Sequence, residues 1–255
     1  LANDFQGAVS LSNSGGNDVT ITTANALDLG TVGVGQNLTV NAGGTISDSG
    51  IVSVAGTTTL DNAGADAAIL LDSASTYTGN VTFTTDAGSD VTITDNSAFA
   101  IQSGLNVSNL SITSTGAVSD LGNIDIDGSL TVSAVGQAID LSGAGANDIS
   151  GDITLNGASV TLGDSTATSI AGITATGDLS VTSAGAISQS GGLQVTGDST
   201  FANAAGTDAA ITLGDSSNTF TGKVTFDTDA GSAVTISDST SLELETLSVA
   251  TLNVT

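Results

Sequence analysis

Apolar and polar residues alternate along most of the chain. Val, Ile and Leu recur at every second position, with Thr, Ser or Asp between them, as in Val9/Leu11, Val19/Ile21, Leu27/Leu29, Leu38/Val40 and Val52/Val54. A period of two is typical of a strand with one buried face, and no window sustains the 3.6 period of an amphipathic helix. Clusters of Gly, Asn, Asp and Ser between these stretches supply turns. The pattern predicts many short strands and no α-helix longer than about two turns.

The strands are organised in a long repeat. Similar segments begin at positions 3, 75, 147 and 218, which are almost evenly spaced: NDFQGAVSL, STYTGNVTF, NDISGDITL and NTFTGKVTF. A second series begins at positions 37, 109, 178 and 251: NLTVNAGGTISDSG, NLSITSTGAVSDLG, DLSVTSAGAISQSG and TLNVT. A third series begins at positions 18, 90, 159 and 233: DVTI, DVTI, SVTL and AVTI. We therefore expect a unit of about 72 residues, present three times and followed by a truncated fourth copy.

Short strands that recur at a fixed long spacing favour a parallel β-solenoid, also called a parallel β-helix. The predicted fold class is all-β, with one continuous solenoid over residues 1–255 and units at approximately 3–74, 75–146, 147–217 and 218–255. Asp48, Asp72, Asn96 and Asp120 recur at an even spacing, which favours three coils of about 24 residues in each unit. Four coils of about 18 residues are the alternative.

The same pattern predicts which side chains point inward. The expected core includes Val9, Leu11, Val19, Ile21, Leu38, Val40, Val81, Phe83, Val91, Ile93, Leu110, Ile112, Leu179, Val181, Val224 and Phe226. One further position holds a large apolar residue two places before a glycine in every unit: Phe5, Tyr77, Ile149 and Phe220 precede Gly7, Gly79, Gly151 and Gly222. We interpret these residues as core or corner fillers beside a tight bend.

Composition excludes many kinds of site. The chain has 26 acidic residues against one basic residue, Lys223, and it contains no His, Cys, Met, Trp or Pro. Without His or Cys there is no Ser-His-Asp triad and no zinc cage. Without a basic patch we expect no nucleic-acid partner, and without an apolar run of about 18 residues we expect no membrane insertion. The absence of Cys leaves the redox compartment open.

The repeated phrases resemble two families of bacterial surface proteins. The N-x-(F/Y)-x-G-x-V-x-(L/F) segments and the segments between them resemble the repeats of filamentous-haemagglutinin-like exoproteins, and SASTYTG at 73–79 and DSSNTFTG at 215–222 resemble autotransporter-associated β-strand repeats. The resemblance covers essentially all 255 residues. It implies a non-catalytic stalk or filament segment of a large secreted or cell-surface adhesin. Its expected partners are neighbouring repeats or copies of itself joined end to end, or host and neighbouring cell surfaces.

No cofactor is expected, and calcium is the one metal that oxygen ligands alone could hold. The sequence leaves weak calcium binding open at Asp48, Asp72, Asp120, Asp125 and Asp127. Two TDAGS turns, with Asp86 and Asp229, are further places to look.

Two alternatives to a purely structural role remain. Asp125/Asp127 and Glu243/Glu245 are carboxylate pairs two residues apart, about 6.5–7 Å on a strand, which is near the spacing of an inverting glycosidase. Such an enzyme would also need cationic groups, and only Lys223, interpreted here as a surface residue, is basic. The other alternative is a glycan- or ice-binding face, but the Thr-x-Thr pairs (Thr20/Thr22, Thr57/Thr59, Thr82/Thr84 and Thr92/Thr94) are expected not to share one register.

Overall fold

The computed structural model describes residues 3–143, 147–204, 206–245, 247 and 249–255. These residues form short strands and no helix. In chain order the strands are Val9–Asn13 (β1), Val19–Thr23 (β2), Leu27–Val34 (β3), Leu38–Ala42 (β4), Ile46–Asp48 (β5), Val52–Val54 (β6), Thr58–Asp61 (β7), Ile69–Tyr77 (β8), Val81–Thr84 (β9), Asp90–Asp95 (β10), Phe99–Ile101 (β11), Leu105–Val107 (β12), Asn109–Ser114 (β13), Val118–Asp120 (β14), Ile124–Ile126 (β15), Leu130–Ser133 (β16), Ile139–Leu141 (β17), Asp148–Ile149 (β18), Asp152–Gly157 (β19), Val160–Asp164 (β20), Thr168–Ala175 (β21), Leu179–Ser183 (β22), Ile187–Gln189 (β23), Leu193–Val195 (β24), Ser199–Asn203 (β25), Ile211–Leu213 (β26), Thr219–Phe220 (β27), Lys223–Asp227 (β28), Ala233–Ile236 (β29), Glu243–Leu244 (β30) and Thr251–Val254 (β31).

Every strand pair is parallel, and partners come from successive coils. A sheet of 16 strands contains a path of thirteen, β1-β3-β5-β8-β10-β13-β16-β19-β21-β23-β26-β29-β31, and the other sheets have eight, four and three strands. Thirteen stacked strands give twelve steps, so the chain winds through about 12 turns. The fold is therefore the predicted all-β, parallel β-solenoid.

Neither of the two expected coil lengths is confirmed, because the coils differ in length. In the eight-stranded sheet the stacked residues are Val118, Ile139, Val160, Leu179, Ser199, Val224 and Leu244. The step in residue number is smallest from Val160 to Leu179 and largest from Ser199 to Val224. Loops of different length between short strands absorb this variation. The even spacing of the four Asp and Asn residues is therefore not the coil length.

The 72-residue unit does not contain a whole number of coils, which corrects the expectation of three. Within the long sheet, β1 to β19, β10 to β29 and β13 to β31 are each seven steps. Each of these pairs joins equivalent positions two units apart: Val9 with Ile153, Val91 with Val234 and Leu110 with Leu252. Two units therefore span seven coils and one unit spans about three and a half. Equivalent residues of successive units consequently fall on different sheets, as DVTI does in β2 and β10.

The predicted core is confirmed. Thirteen of the sixteen named residues are buried, and Val9, Leu11 and Val19, in the first two strands, are half-buried against it. Of the four corner fillers, Tyr77, Ile149 and Phe220 are buried, whereas Phe5 is 38% exposed. Phe220 also packs edge-on against Phe201, with ring centroids 6.0 Å apart.

The glycine that follows each of the three buried fillers lies at a close approach between coils. A Cβ atom on Gly151 would collide with the carbonyl oxygen of Gly128 in the coil below, and one on Gly79 would collide with that of Gly56. Gly222 faces Gly197 in the same way. The requirement is for space rather than for a positive φ, because none of these glycines has one.

We expect Gly151→Ala to destabilise the fold by about 1–3 kcal/mol, because the added methyl group must push two coils apart. Gly7→Ala is the matched control from the same motif, since no atom lies within 4 Å of its added Cβ. Thermal and urea unfolding followed by circular dichroism measure both variants. Equal midpoints for the two variants would contradict the close-approach explanation.

Candidate functional site

The most elaborate side-chain arrangement is a buried polar corner that occurs three times. The first residue of the repeated motif is Ser75, Asn147 or Asn218, and each is almost completely buried. Its side-chain oxygen accepts a hydrogen bond from a backbone N–H of the coil below. The donors are Val52 at 2.9 Å, Ile124 at 3.1 Å and Leu193 at 2.9 Å, respectively. The short motif thus satisfies a buried backbone donor that the sheet itself leaves unpaired.

The same corner fixes Asp48 and Asp120. Asn147 Nδ2 donates to Asp120 Oδ2 at 2.7 Å, and Ser75 Oγ donates to Asp48 Oδ2 at 3.4 Å. The other oxygen of each carboxylate accepts a hydrogen bond from a backbone N–H: that of Gly143 for Asp120 and that of Ser73 for Asp48. Burial raises the pKa of Asp48; hydrogen bonds from Ser73 and Ser75 offset part of this shift, and the neighbouring Asp72 adds to it. These two calcium candidates are therefore already engaged by protein donors.

The third corner uses uncharged groups for the same purpose. Gln189 and Asn218 exchange amide hydrogen bonds of 2.8 and 2.9 Å at the equivalent positions. Sequence reasoning found the motif but missed this role. The signal was present in the spacing, because Asp48 and Ser75, like Asp120 and Asn147, are 27 residues apart.

A second repeated device is an Asp followed two residues later by Ser or Thr. Asp95 and Asp164 are 1% and 5% exposed. Asp95 Oδ1 accepts from the Ser97 N–H and hydroxyl, and Asp164 Oδ1 accepts from those of Thr166. Burial raises the pKa of both carboxyl groups, and these hydrogen bonds offset part of that shift. Both carboxylates thus hold the backbone turn that follows their strand.

The calcium candidates do not gather into one cluster among the described residues. Asp72 is exposed next to Asp48, and Asp127 is exposed after β15. Asp125 is paired with Asp148 of the next coil and accepts a 3.0 Å hydrogen bond from Asn106 Nδ2. Its pKa is raised, first by burial and then by Asp148 and Asp127. Among the described residues, no three acidic side chains gather at a place where they could hold a metal ion.

The second carboxylate pair is partly neutralised. Lys223 lies on the surface, as expected, and its Nζ is 2.7 Å from Glu245 Oε1. Glu245 and Glu243 raise the pKa of Lys223. Lys223 and Glu243 are register partners on adjacent coils, so the ion pair follows from the coil length rather than from local sequence.

The four Thr-x-Thr pairs do not all share one register, as expected, but two of them do. Thr20, Thr39, Thr59 and Thr82 are consecutive register partners in the four-stranded sheet and form one row across four coils. A second row beside it contains Thr22, Asn41, Asp61 and Thr84. Two of the four Thr-x-Thr pairs, Thr20/Thr22 and Thr82/Thr84, therefore share a register. Thr92 and Thr94 lie in the 16-stranded sheet, and Thr57 lies in the turn before β7.

Comparison with protein families gives one match. A family model described as "Repeats of unknown function (DUF5649)" matches residues 16–85, 88–156 and 157–227. The chain belongs to this family. The three matches are close to the 72-residue unit in length, although their boundaries are shifted in phase. No curated protein and no solved structure matches the chain. No helix long and apolar enough to cross a membrane occurs among the described residues.

The buried carboxyl groups predict a pH dependence of stability. Because burial raises the pKa of these Asp carboxyl groups above its ordinary value, the folded chain holds their protons more tightly than the unfolded chain does. Stability is therefore fully present below the unfolded pKa and decreases as pH rises through the folded one. The melting temperature should be higher at pH 4 than at pH 7, by roughly 2–4 °C for each kcal/mol by which protonation of these groups raises the free energy of unfolding.

Relief of repulsion within a chain of formal charge −25 acts in the same direction. High salt screens this repulsion, so melting curves recorded in high salt contain less of its contribution. In high salt, Asp164→Asn should show a smaller pH effect than the wild type, whereas the exposed Asp127→Asn should not. Equal pH effects in all three chains would contradict the assignment to the buried groups.

Proposed function

We propose that this chain is a rigid, non-catalytic spacer within a large secreted or cell-surface bacterial protein of the adhesin type. The observation that carries the proposal is that the residues of the repeated motif hold successive coils together. Its Asn or Ser, its large apolar residue and its glycine all serve the stacking of coils. A repeat whose residues serve the stacking of coils is suited to a spacer, because the number of stacked coils determines the length of the rod.

The expected length follows from the coil count. Twelve steps of about 4.8 Å give a rod of about 58 Å for the whole chain and about 17 Å for each 72-residue unit. Further repeats or copies of the chain joined end to end would extend the rod in proportion. Lateral association would bring together surfaces of a chain with charge −25 and would need divalent cations to screen them.

Small-angle scattering with and without a chelator measures the length of the rods and their lateral association. Antibodies raised against the chain test its location on or outside the cell. We expect rods that separate sideways in chelator but keep their length, and labelling of intact source cells or their medium. A compact particle, or labelling only after lysis, would contradict the proposal. So would product release from a polysaccharide panel that disappears in Asp125→Asn.

A second candidate function rests on the two rows of the four-stranded sheet. They present hydroxyl and amide groups about 4.8 Å apart between coils and about 6.5–7 Å apart along a strand. A regular uncharged array of this kind suits a surface that is itself regular, such as ice or a crystalline polysaccharide. Only Asp61 interrupts it with a charge.

Thermal-hysteresis and polysaccharide pull-down assays test this candidate. If the rows bind, Thr39→Val with Thr59→Val should abolish the activity, because both changes remove hydroxyl groups from the centre of the array. Thr131→Val, on a different sheet, should leave the activity unchanged. Inactive wild-type protein in both assays would exclude this role.

A further inference from the structure

Two corners of the solenoid share the same unpaired buried oxygens. Asn62 Oδ1 and Ser89 Oγ have no hydrogen-bond partner, and neither do Asn203 Oδ1 and Ser232 Oγ. The four residues are 1%, 2%, 8% and 0% exposed, respectively. Asn62 and Asn203 are separated by almost two full units, as are Ser89 and Ser232, so the two corners are related by the seven-coil period.

In the first corner, Asn62 and Ser89 belong to neighbouring coils, and the strand register relates their positions. Asn62 Nδ2 donates to the carbonyl oxygen of Ala67 at 2.6 Å, which places its amide group beside that residue. Ile69 pairs with Val91 of the next coil. Extending this register by two residues toward the amino terminus places Ala67 opposite Ser89. The register therefore places Asn62 and Ser89 at the same corner, and their side chains do not hydrogen-bond to each other.

The second corner contains the equivalent Asn and Ser, but its Asn makes a different hydrogen bond. Ile211 pairs with Val234, which places Ser232 above Ala209. Asn203 Nδ2 donates to the carbonyl oxygen of Gly185 in the coil below at 2.8 Å, again leaving Oδ1 unpaired. The Ser232 and Ser89 N–H groups close equivalent turns by donating to the carbonyl oxygens of Asp229 and Asp86.

The intervening unit supplies an internal comparison. Ala134 stands there in place of Asn62 and is completely buried. Its loop, at 134–138, is shorter by two positions than the loop at 62–68. The longer loop and the buried Asn62 thus occur together.

We propose that each of these two corners binds one ordered water molecule that bridges the Asn carboxamide oxygen to the Ser hydroxyl. The Asn oxygen can only accept, whereas the Ser hydroxyl can donate or accept, and water is the smallest molecule that completes both. Such a water is an integral part of the corner and holds the adjoining loop against the core.

The sign of a stability change tests this proposal. In Ser89→Ala with Ser232→Ala, each water loses a partner, so the melting temperature should fall, by about 2–4 °C for each kcal/mol lost. If the corners hold nothing, the substitutions remove hydroxyl groups that are unsatisfied only in the folded state. The melting temperature should then rise, which would overturn the proposal.

Thr58→Val is the matched control. The Thr58 hydroxyl is also buried and unpaired, but both of its register partners, Leu38 and Val81, are apolar. Its removal should leave the melting temperature unchanged or raise it. Melting curves in calcium, in sodium and in chelator distinguish water from a cation. A metal-dependent shift that the double Ser variant abolishes would overturn the proposal in favour of a metal ion.

Discussion

The structure depends on one constraint, which is that each coil must place its backbone in hydrogen-bonding register with the coil below. Parallel strands pair only with strands one turn away, so every turn has to close to the same cross-section whatever its number of residues. The turn from Val160 to Leu179 is shorter in sequence than the turn from Ser199 to Val224, yet both close onto the same sheet. Strands are kept in register, while loops vary.

The corners are where this constraint is hardest to meet, because the sheet hydrogen bonds are interrupted there. A glycine allows one coil to cross close above another, as Gly151 does over Gly128. A buried Asn or Asp replaces the missing backbone partner, as Asn147 does for Ile124. Both devices are short-range in space, although they join residues a full turn apart in the chain. Most of the polar chemistry of the interior is thus used to hold successive turns together.

The alternation of Val, Ile and Leu with Thr and Ser was sufficient to predict the fold and the buried face, because burial on one side of a strand imposes a period of two. The coil length could not be predicted in the same way. Asp48 and Asp120 are equivalent in the 72-residue unit, yet they lie on different sheets, since the unit ends half a turn from where it began. The spacing of Asp residues therefore reported the sequence repeat and not the turn. The role of Asn147 was missed for a related reason, because its partners belong to a neighbouring coil whose register was unknown.

The half-turn offset between units makes the solenoid approximate a two-fold screw. One 72-residue unit advances along the axis by about 17 Å and turns the motif to the opposite side of the rod. Any exposed side chain that is retained in every unit would appear on both sides in alternation, about 34 Å apart on each. In a chain that repeats in this manner, no single side of the rod carries all the copies of a repeated surface residue. Surfaces approaching such a rod from opposite directions would meet the same chemistry, displaced along the axis by half of the screw repeat.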